Sequence, residues 1–390
     1  MNQLIKYVTG IDIAKDKFDA CLMSMDVQLS YKVIATHQFS NTPAGFKELL
    51  KWQRKHCKEK IVMQTLMEAS GVYHEKLAIY LTEAGKVVFV VLPNKARKYM
   101  EALGLKSKND SIDAQGLALM CAQHKFEVWQ PIAKFYYELR LLTRHNQSIL
   151  EAKTMFCNQK HALGHSGYSS KPVMKQIEKT IGLFDKQIKE NRGLIKQHLE
   201  SNEEVKRKVN QICHIKGVDV LTVATILAET NGFALFKKAG QLVSYAGYDV
   251  VENQSGKHTG RTKISKKGNS RIRRILHMPA FNVVRFKQRP FINLHERVYD
   301  KSKIKMKAYV AVQKKLLVLI YSLWKKDEAY QPGYVSNKTS GNEEPKVLFP
   351  LNHQKEVVPP KGSTTQDELR YNESPEALFP FHKHKNIYSK

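Results

Sequence analysis

Apolar and polar positions alternate in short runs over the first 125 residues. Tyr7–Ile13, Phe18–Met23 and Tyr31–Phe39 read as three strands separated by brief polar breaks, which makes a meander. Asn41-Thr42-Pro43 then offers a capping residue and an early proline, predicting a helix through about Lys55. Ile61–Met67 predicts a fourth strand and Tyr73–Ala84 a helix stopped by Gly85. Val87–Leu92 predicts a buried strand ended by Pro93, and Asp110–Gln123 a further helix.

The order βββαβαβα, a meander followed by βα units, is that of an α/β ribonuclease H-like domain. On periodicity alone another alternating α/β domain would read the same way. From residue 132 to 200 the period changes. Leu142, Ile149, Phe156 and Leu163 recur every seven residues, and Ile177, Ile181, Phe184, Ile188 and Ile195 form a second apolar stripe. The Gly/Ser-rich stretch Gly164–Lys171 separates them and Pro172 opens the second helix. This predicts a helical hairpin or coiled-coil arm, whose seam either packs internally or dimerises. Residues 205–328 read as a second, mostly helical domain. After Gln331 the chain holds seven of its 13 prolines and little pattern, which predicts a disordered tail. The two short echoes Val347–Pro350 and Ala377–Pro380 within it read as chance similarity before docking peptides. The expected division is therefore 1–130, 131–204, 205–328 and 329–390.

Charge narrows the function. Lys and Arg number 64 against 36 Asp and Glu, a formal +28, and such an excess predicts a polyanionic partner. A membrane surface is the competing polyanion. The longest apolar runs, Val87–Leu92 and Leu316–Leu323, are too short to cross a bilayer, so no membrane partner is expected. Met1-Asn2-Gln3-Leu4 opens without an apolar leader pattern. Cys21, Cys57, Cys121, Cys157 and Cys213 are scattered and form no CxxC. They read as reduced thiols of a cytoplasmic protein and suggest no zinc site.

Against this basic background stand four acids. Asp12 lies near the end of the first strand and Glu68 directly after the fourth. In a ribonuclease H-like sheet those strands are parallel neighbours, so both carboxylates emerge at one edge. Asp110 and Asp113 are three apart at a helix start and share a face. Taken singly, Asp12 is a strand-end turn residue, Glu68 a solvated side chain and Asp110 an N-cap. Taken together they are a set of hard oxygen ligands suited to Mg²⁺. Two such ions about 4 Å apart can activate a nucleophile and stabilise a leaving oxygen at phosphorus.

The second domain is basic where it is least regular. Ile215-Lys216-Gly217-Val218-Asp219 before an apolar helix resembles half of a helix-hairpin-helix, which offers backbone N–H groups to phosphate. From Ser255 to Pro290 there are eleven Lys and Arg and no Asp or Glu. Lys257, Arg261, Lys263, Lys266, Lys267, Arg271, Arg273 and Arg274, interleaved with Gly and hydroxyl residues, suit a loop along a phosphate backbone. By residue chemistry Ser255 reads first as a phosphate-contacting or turn-capping hydroxyl and second as a nucleophile activated by its cationic neighbours.

Gly10-Ile11-Asp12-Ile13-Ala14-Lys15, Met67-Glu68-Ala69-Ser70-Gly71 and Lys108-Asn109-Asp110-Ser111-Ile112-Asp113-Ala114 resemble the three acidic motifs of DEDD transposases of the one-ten insertion-sequence family, relatives of the Piv invertase. Ile215–Gly247 and Ser255–Arg274 resemble that family's C-terminal transposase domain, and the similarity spans roughly residues 7–325. The resemblance implies a RuvC-like N-terminal domain, a coiled-coil arm and a serine-bearing second domain. It implies cleavage and rejoining of DNA, at element ends and target, with Mg²⁺ (or Mn²⁺ in its place) held by Asp12, Glu68, Asp110 and Asp113. It implies a covalent phosphoserine at Ser255, with Ser244, Ser265 and Ser270 as alternatives because the loop diverges in length. It further implies a homo-oligomer, dimer or tetramer, pairing one subunit's acids with another's serine. A structured guide RNA from the same element is also implied, in a prokaryotic cytoplasm at the nucleoid. Three other readings remain: a junction-resolving nuclease in which water attacks, a non-catalytic nucleic-acid binder, and a sugar-kinase-like ATPase sharing Gly10-Ile11-Asp12.

Overall fold

The computed structural model describes residues 3–57, 61, 63–104, 109–252, 254–255, 258–260 and 262–331. Its N-terminal part contains β1 (Leu4–Ile13), β2 (Lys17–Asp26), β3 (Tyr31–Ser40), α1 (Pro43–His56), β4 (Met63–Glu68), α2 (Glu75–Glu83), β5 (Val87–Val91), α3 (Pro93–Ala102) and α4 (Asp110–Gln123). The five strands form one sheet in the order β3-β2-β1-β4-β5. β1–β2 and β2–β3 are antiparallel, and β1–β4 and β4–β5 are parallel. That is the RNase H-like arrangement the element order predicts.

Two cores cover the two faces. Ile11, Met67 and Val88 face α1 and α2 through Phe46, Leu49, Leu77 and Leu81. Val8, Cys21, Leu66 and Phe89 face α4 through Ala114, Leu117, Ala118 and Cys121. β1 is central and buried on both sides, so it lacks clean alternation and runs three residues further back than Tyr7. Helix α3 is an addition to the predicted order. Pro93 ends β5 but also occupies the first turn of a helix, where its missing N–H costs nothing.

α5 (Lys134–Gly164) and α6 (Lys171–Glu200) make the arm. Their contacts run antiparallel: Lys153 pairs with Asp185 at 2.5 Å, Lys160 with Glu178 at 2.8 Å, and the Asn191 amide donates to the Leu142 carbonyl at 3.0 Å. Phe156 and Phe184 meet at 5.7 Å between ring centres, and Ile149, Ile177, Ile188 and Ile195 are buried. The apolar stripe is thus an internal seam of one chain.

The remaining elements are α7 (Glu203–Cys213), α8 (Val220–Thr230), α9 (Ala239–Tyr245), β6 (Val250–Val251), β7 (Gln254–Ser255), β8 (His258–Thr259), β9 (Lys263–Ile264), α10 (Ser270–Ile275), α11 (His277–Arg285), α12 (Arg289–Ser302) and α13 (Lys305–Lys326). α8 is buried almost all round, as its apolar sequence requires, and forms the centre of a third core with Phe233, Tyr248, Phe291 and Leu316. Leu139, Ile195 and Leu199 at the base of the arm belong to that same core. The stretch read as a loop after Val250 is a ribbon: β6 pairs with β9 and β7 with β8, both antiparallel. Residues 332–390, with the expected tail and its two echoes, lie outside the described residues. All five cysteines are free thiols. Among the described residues no helix is long and apolar enough to cross a membrane.

Candidate active site and nucleic-acid interface

The acidic site begins with a glycine. A Cβ at Gly10 would overlap the backbone of Ala114 and Ala118, so its absence lets α4 lie directly on β1. Strand residues two apart share a face, hence Asp12 points to the same side as Gly10, beside the first turn of α4. That turn carries Asp110 and Asp113. Its cap is Asn109, whose Oδ1 accepts from the Ile112 N–H at 2.8 Å, so Asp110 is not needed as the N-cap. On β4, Ile11 pairs with Met67, which leaves Glu68 beside Asp12 at the strand ends. Leu66 lies in the α4-side core, and Glu68, two residues on, shares its face. All four predicted acids are brought to one edge.

Electrostatics register the convergence. The Asp12 carboxyl is raised from 3.8 to about 6, first by burial and then by the negative charges of Asp113, Asp110, Glu68 and Asp19. Asp19 is a fifth acid that sequence reasoning missed. It sits directly across from Asp12 in the β1–β2 pairing and accepts from Gln38 Nε2 at 3.0 and 3.2 Å. Lys17 Nζ stands 3.6 Å from Asp110 Oδ2, a cation at the rim. Asn41 fixes the surrounding loops: its amide donates to the carbonyls of Ala14, Lys15 and Tyr73 at 3.0, 3.3 and 3.2 Å. Among the described residues no group of three or more His, Cys, Asp and Glu forms a ready-made metal cage. The donors nonetheless fit a hard divalent cation. They are carboxylate oxygens only, and the penalty on charged Asp12 is one that a cation would relieve.

Ser255 stands on the ribbon beside the third core, not on the sheet that carries the acids. Its backbone pairs with His258 in the β7–β8 ladder. The foot of the ribbon is stapled to the end of α9 and the turn that follows it: Ser265 N–H donates to the Asp249 carbonyl at 2.7 Å, Lys266 N–H to the Gly247 carbonyl at 3.1 Å, and Asn269 N–H to the Tyr245 carbonyl at 2.7 Å. Arg273 Nη1 donates to the carbonyls of Ala246 and Gly268 at 2.9 and 3.3 Å, so this predicted nucleic-acid contact also has a structural task. Arg274 is ion-paired with Glu151 of the arm. Lys263, Lys266 and Lys267 are exposed, while Arg271 is half-buried. Lys257 and Arg261 lie outside the described residues.

A buried polar node underlies this surface. Glu229, 1% exposed, accepts Arg144 Nε at 2.8 Å and Nη2 at 3.0 Å, and Asn269 Nδ2 at 2.8 Å. Burial alone would push the Glu229 carboxyl up, but these hydrogen bonds and the Arg144 and Arg140 charges hold it below the usual range. Asn269 Oδ1 in turn caps α10 by accepting from Arg271 and Ile272 N–H groups. The node thereby joins the arm, α8 and the start of the basic helix. Its signal in the sequence was a lone acid in an otherwise apolar helix.

An RNase H-like sheet with carboxylates converging at one edge, followed by a basic helical unit, defines a nucleic-acid-processing class. Residues 9–163 match the family model for the transposase of DEDD, IS110 type, and residues 209–296 match that described as "Transposase IS116/IS110/IS902 family". The chain belongs to this family of transposases, proteins of DNA recombination. It is 27% identical over 331 residues to the "Pilin gene-inverting protein" of Moraxella bovis, covering 83% of this chain and 98% of that one. It is 22% identical over 361 residues to the "Transposase for insertion sequence element IS1111A" of Coxiella burnetii, covering 84% and 92% of the two. Thermus thermophilus RuvC aligns over 32% of this chain and 99% of its own at 14% identity and a TM-score of 0.25. The RNase H-like assignment rests on the strand order rather than on that last likeness.

Proposed function

We propose that this chain is a site-specific recombinase that cuts and rejoins the ends of a mobile DNA element through a covalent phosphoserine. The observation that carries the reading is the gathering of Asp12, Glu68, Asp110 and Asp113 around one partly buried carboxyl. These four residues would hold Mg²⁺, with Mn²⁺ as a substitute. The ions would supply charge neutralisation at the scissile phosphate. A cation bound there would relieve the burial and the neighbouring negative charges that oppose ionisation of Asp12. Lys17 holds Asp110 at the rim. The Ser255 hydroxyl attacks phosphorus, its oxygen replaces the leaving sugar oxygen, and the DNA end stays esterified to the protein until the reverse attack releases it. Lys263, Lys266 and Lys267, with Lys257 and Arg261, hold the phosphate backbone.

The division of labour follows the expected segments: cutting in 1–130, assembly through the arm of 131–204, and nucleophile delivery from 205–328. A dimer or tetramer, in which one subunit's acids meet another's serine, and a structured guide RNA read by its A-form shape complete the proposal. The site of action is the cytoplasm, at the nucleoid.

The test is strand exchange by the purified full-length protein with its element ends, target DNA and flanking RNA, run with Mg²⁺ or EDTA. Asp12→Asn should abolish cleavage and Ser255→Ala should abolish both exchange and the trapped protein–DNA adduct. An adduct that persists in Ser255→Ala moves the nucleophile to Ser244, Ser265 or Ser270. Cleavage with no adduct in the wild-type chain would identify a junction nuclease using water.

A further inference from the structure

The β1–β4 ladder stops one residue short of the carboxylates. Its last pair is Ile11 and Met67, so main-chain pairing between these strands does not fix how far Asp12 stands from Glu68. Each acid is paired on its outer side, Asp12 with Asp19 on β2 and Glu68 with Val91 on β5. Across the gap between them a side chain from elsewhere makes a link. Asn41, in the turn between β3 and α1, donates its amide to the carbonyls of Ala14 and Lys15 at 3.0 and 3.3 Å and to that of Tyr73 at 3.2 Å. Ala14 and Lys15 follow Asp12 by two and three residues. Tyr73 closes the turn that leaves Glu68: Ser70 N–H donates to the Glu68 carbonyl at 2.9 Å and Tyr73 N–H to the Ser70 carbonyl at 3.2 Å. Asn41 is itself held, its own N–H donating to the Asp16 carbonyl at 2.9 Å. One amide thus bridges the two segments that carry the acids, beyond the point where the sheet does.

Like charges on Asp12, Glu68, Asp110 and Asp113 push the strand ends apart when no cation is present. Charge alone therefore favours a wider site, and a tie across it resists the widening. Spacing decides which ion fits. Mg²⁺ requires near-octahedral oxygens at about 2.0–2.1 Å, whereas Ca²⁺ accepts roughly six to eight oxygens at about 2.3–2.6 Å in flexible geometry. Groups that hold metal ligands in place typically change affinity about 10–100-fold when removed, although they do not touch the ion. We propose that Asn41 is a positioning residue of the carboxylate site: its amide fixes the separation of Asp12 and Glu68 and so favours Mg²⁺ over a larger ion. It acts through the main chain of the two turns rather than as a ligand. The proposal rests on the reading of these acids as the Mg²⁺ site of a recombinase, and assigns the selectivity of that site to a residue outside it.

The experiment is isothermal titration of the full-length, nucleic-acid-free protein with Mg²⁺ and, separately, Ca²⁺, in the wild type, Asn41→Ala, Thr42→Ala and Asp12→Asn. Thr42 is the neighbouring helix cap, whose side chain accepts from the Gly45 N–H, and its variant is the structural control. In Asn41→Ala the Mg²⁺ affinity should fall about tenfold or more, with a smaller loss for Ca²⁺, so that the preference for Mg²⁺ shrinks. Thr42→Ala should leave that preference unchanged. Should Asn41→Ala fail to fold, Asn41→Ser carries the same expectation, since its shorter side chain keeps a donor for one turn and cannot span both. Equal losses for the two ions, no loss at all, or the same shift in Thr42→Ala overturns the proposal, while Mg²⁺ binding by the wild type leaves the reading of the acids intact. Mg²⁺ binding that survives unchanged in Asp12→Asn, or a wild type that binds no Mg²⁺, overturns both.

Discussion

Asp12→Asn is expected to stabilise the metal-free protein while destroying its activity. The Asp12 carboxyl is raised from an ordinary 3.8 to about 6 by burial and by Asp113, Asp110, Glu68 and Asp19. At about 1.4 kcal/mol for each tenfold change, such a rise opposes the charged form by at most about 3 kcal/mol. The group is partly solvated, so screening reduces the usable figure to about 1–2 kcal/mol. The direction follows from proton binding. The folded chain holds its Asp12 proton to higher pH than the unfolded chain, so stability falls as pH rises from about 4 to about 6 and stays lowered above that. Removing the charge removes the penalty.

The assay is urea unfolding of the wild-type and Asp12→Asn proteins in EDTA at pH 7.5 and at pH 4.5. At pH 7.5 the variant should gain about 1–2 kcal/mol relative to wild type, and the gain should shrink as pH falls below 6. Added Mg²⁺ should stabilise the wild type and leave the variant nearly unmoved, because binding to the folded state raises stability by mass action. A variant that is less stable than wild type at pH 7.5 without metal, or a gain independent of pH, would refute the crowding of carboxylates around Asp12.

Gly10→Ala forces a methyl group into the backbone of α4 and should cost about 1–3 kcal/mol or more by overpacking, with loss of metal-dependent cleavage in the folded fraction. Arg144→Ala leaves the Glu229 carboxylate buried without its charge partner and should cost about 3 kcal/mol in urea unfolding, near the low end for buried pairs because Arg144 is itself partly exposed. Adding Glu229→Gln to that variant should recover part of the loss. Asn109→Ala removes the side-chain cap of α4 and should cost about 1 kcal/mol by the same measurement.

The sheet and α4 were legible in the sequence because each strand is bounded by a turn former and each helix by a cap or stop. Pro43, Gly85 and Asp110–Gln123 stand where the pattern puts them. What escaped has a physical reason in each case. Pro93 was read only as a strand terminator, although the same ring that ends a strand also starts a helix. The ribbon at 250–264 is rich in Gly, Lys and Thr, a composition shared by phosphate-contacting loops, and two-residue strands give no alternation to detect. The Glu229 node spans 85 residues to Arg144, and no local period encodes a contact of that range.

The acidic site was legible for a more specific reason, contained in Gly10-Ile11-Asp12. A two-residue period puts the glycine and the aspartate on one face, while Ile11 buries on the other. The glycine removes the side chain that would hold α4 away from the sheet, and α4 then delivers its acidic first turn to the aspartate. Packing and chemistry are therefore written in the same three residues. Asp19 was missed because reading it requires the register of β1 on β2, which the sequence supplies only through the length of the turn between them. That turn is short, with Ala14 N–H donating to the Lys17 carbonyl at 2.9 Å, and it sets Asp19 directly opposite Asp12. Four acids bear on the Asp12 charge, and one of them, Asp19, is tied to β3 by the side-chain amide of Gln38. That tether makes it a source of negative potential for the cluster while its own oxygens are engaged elsewhere.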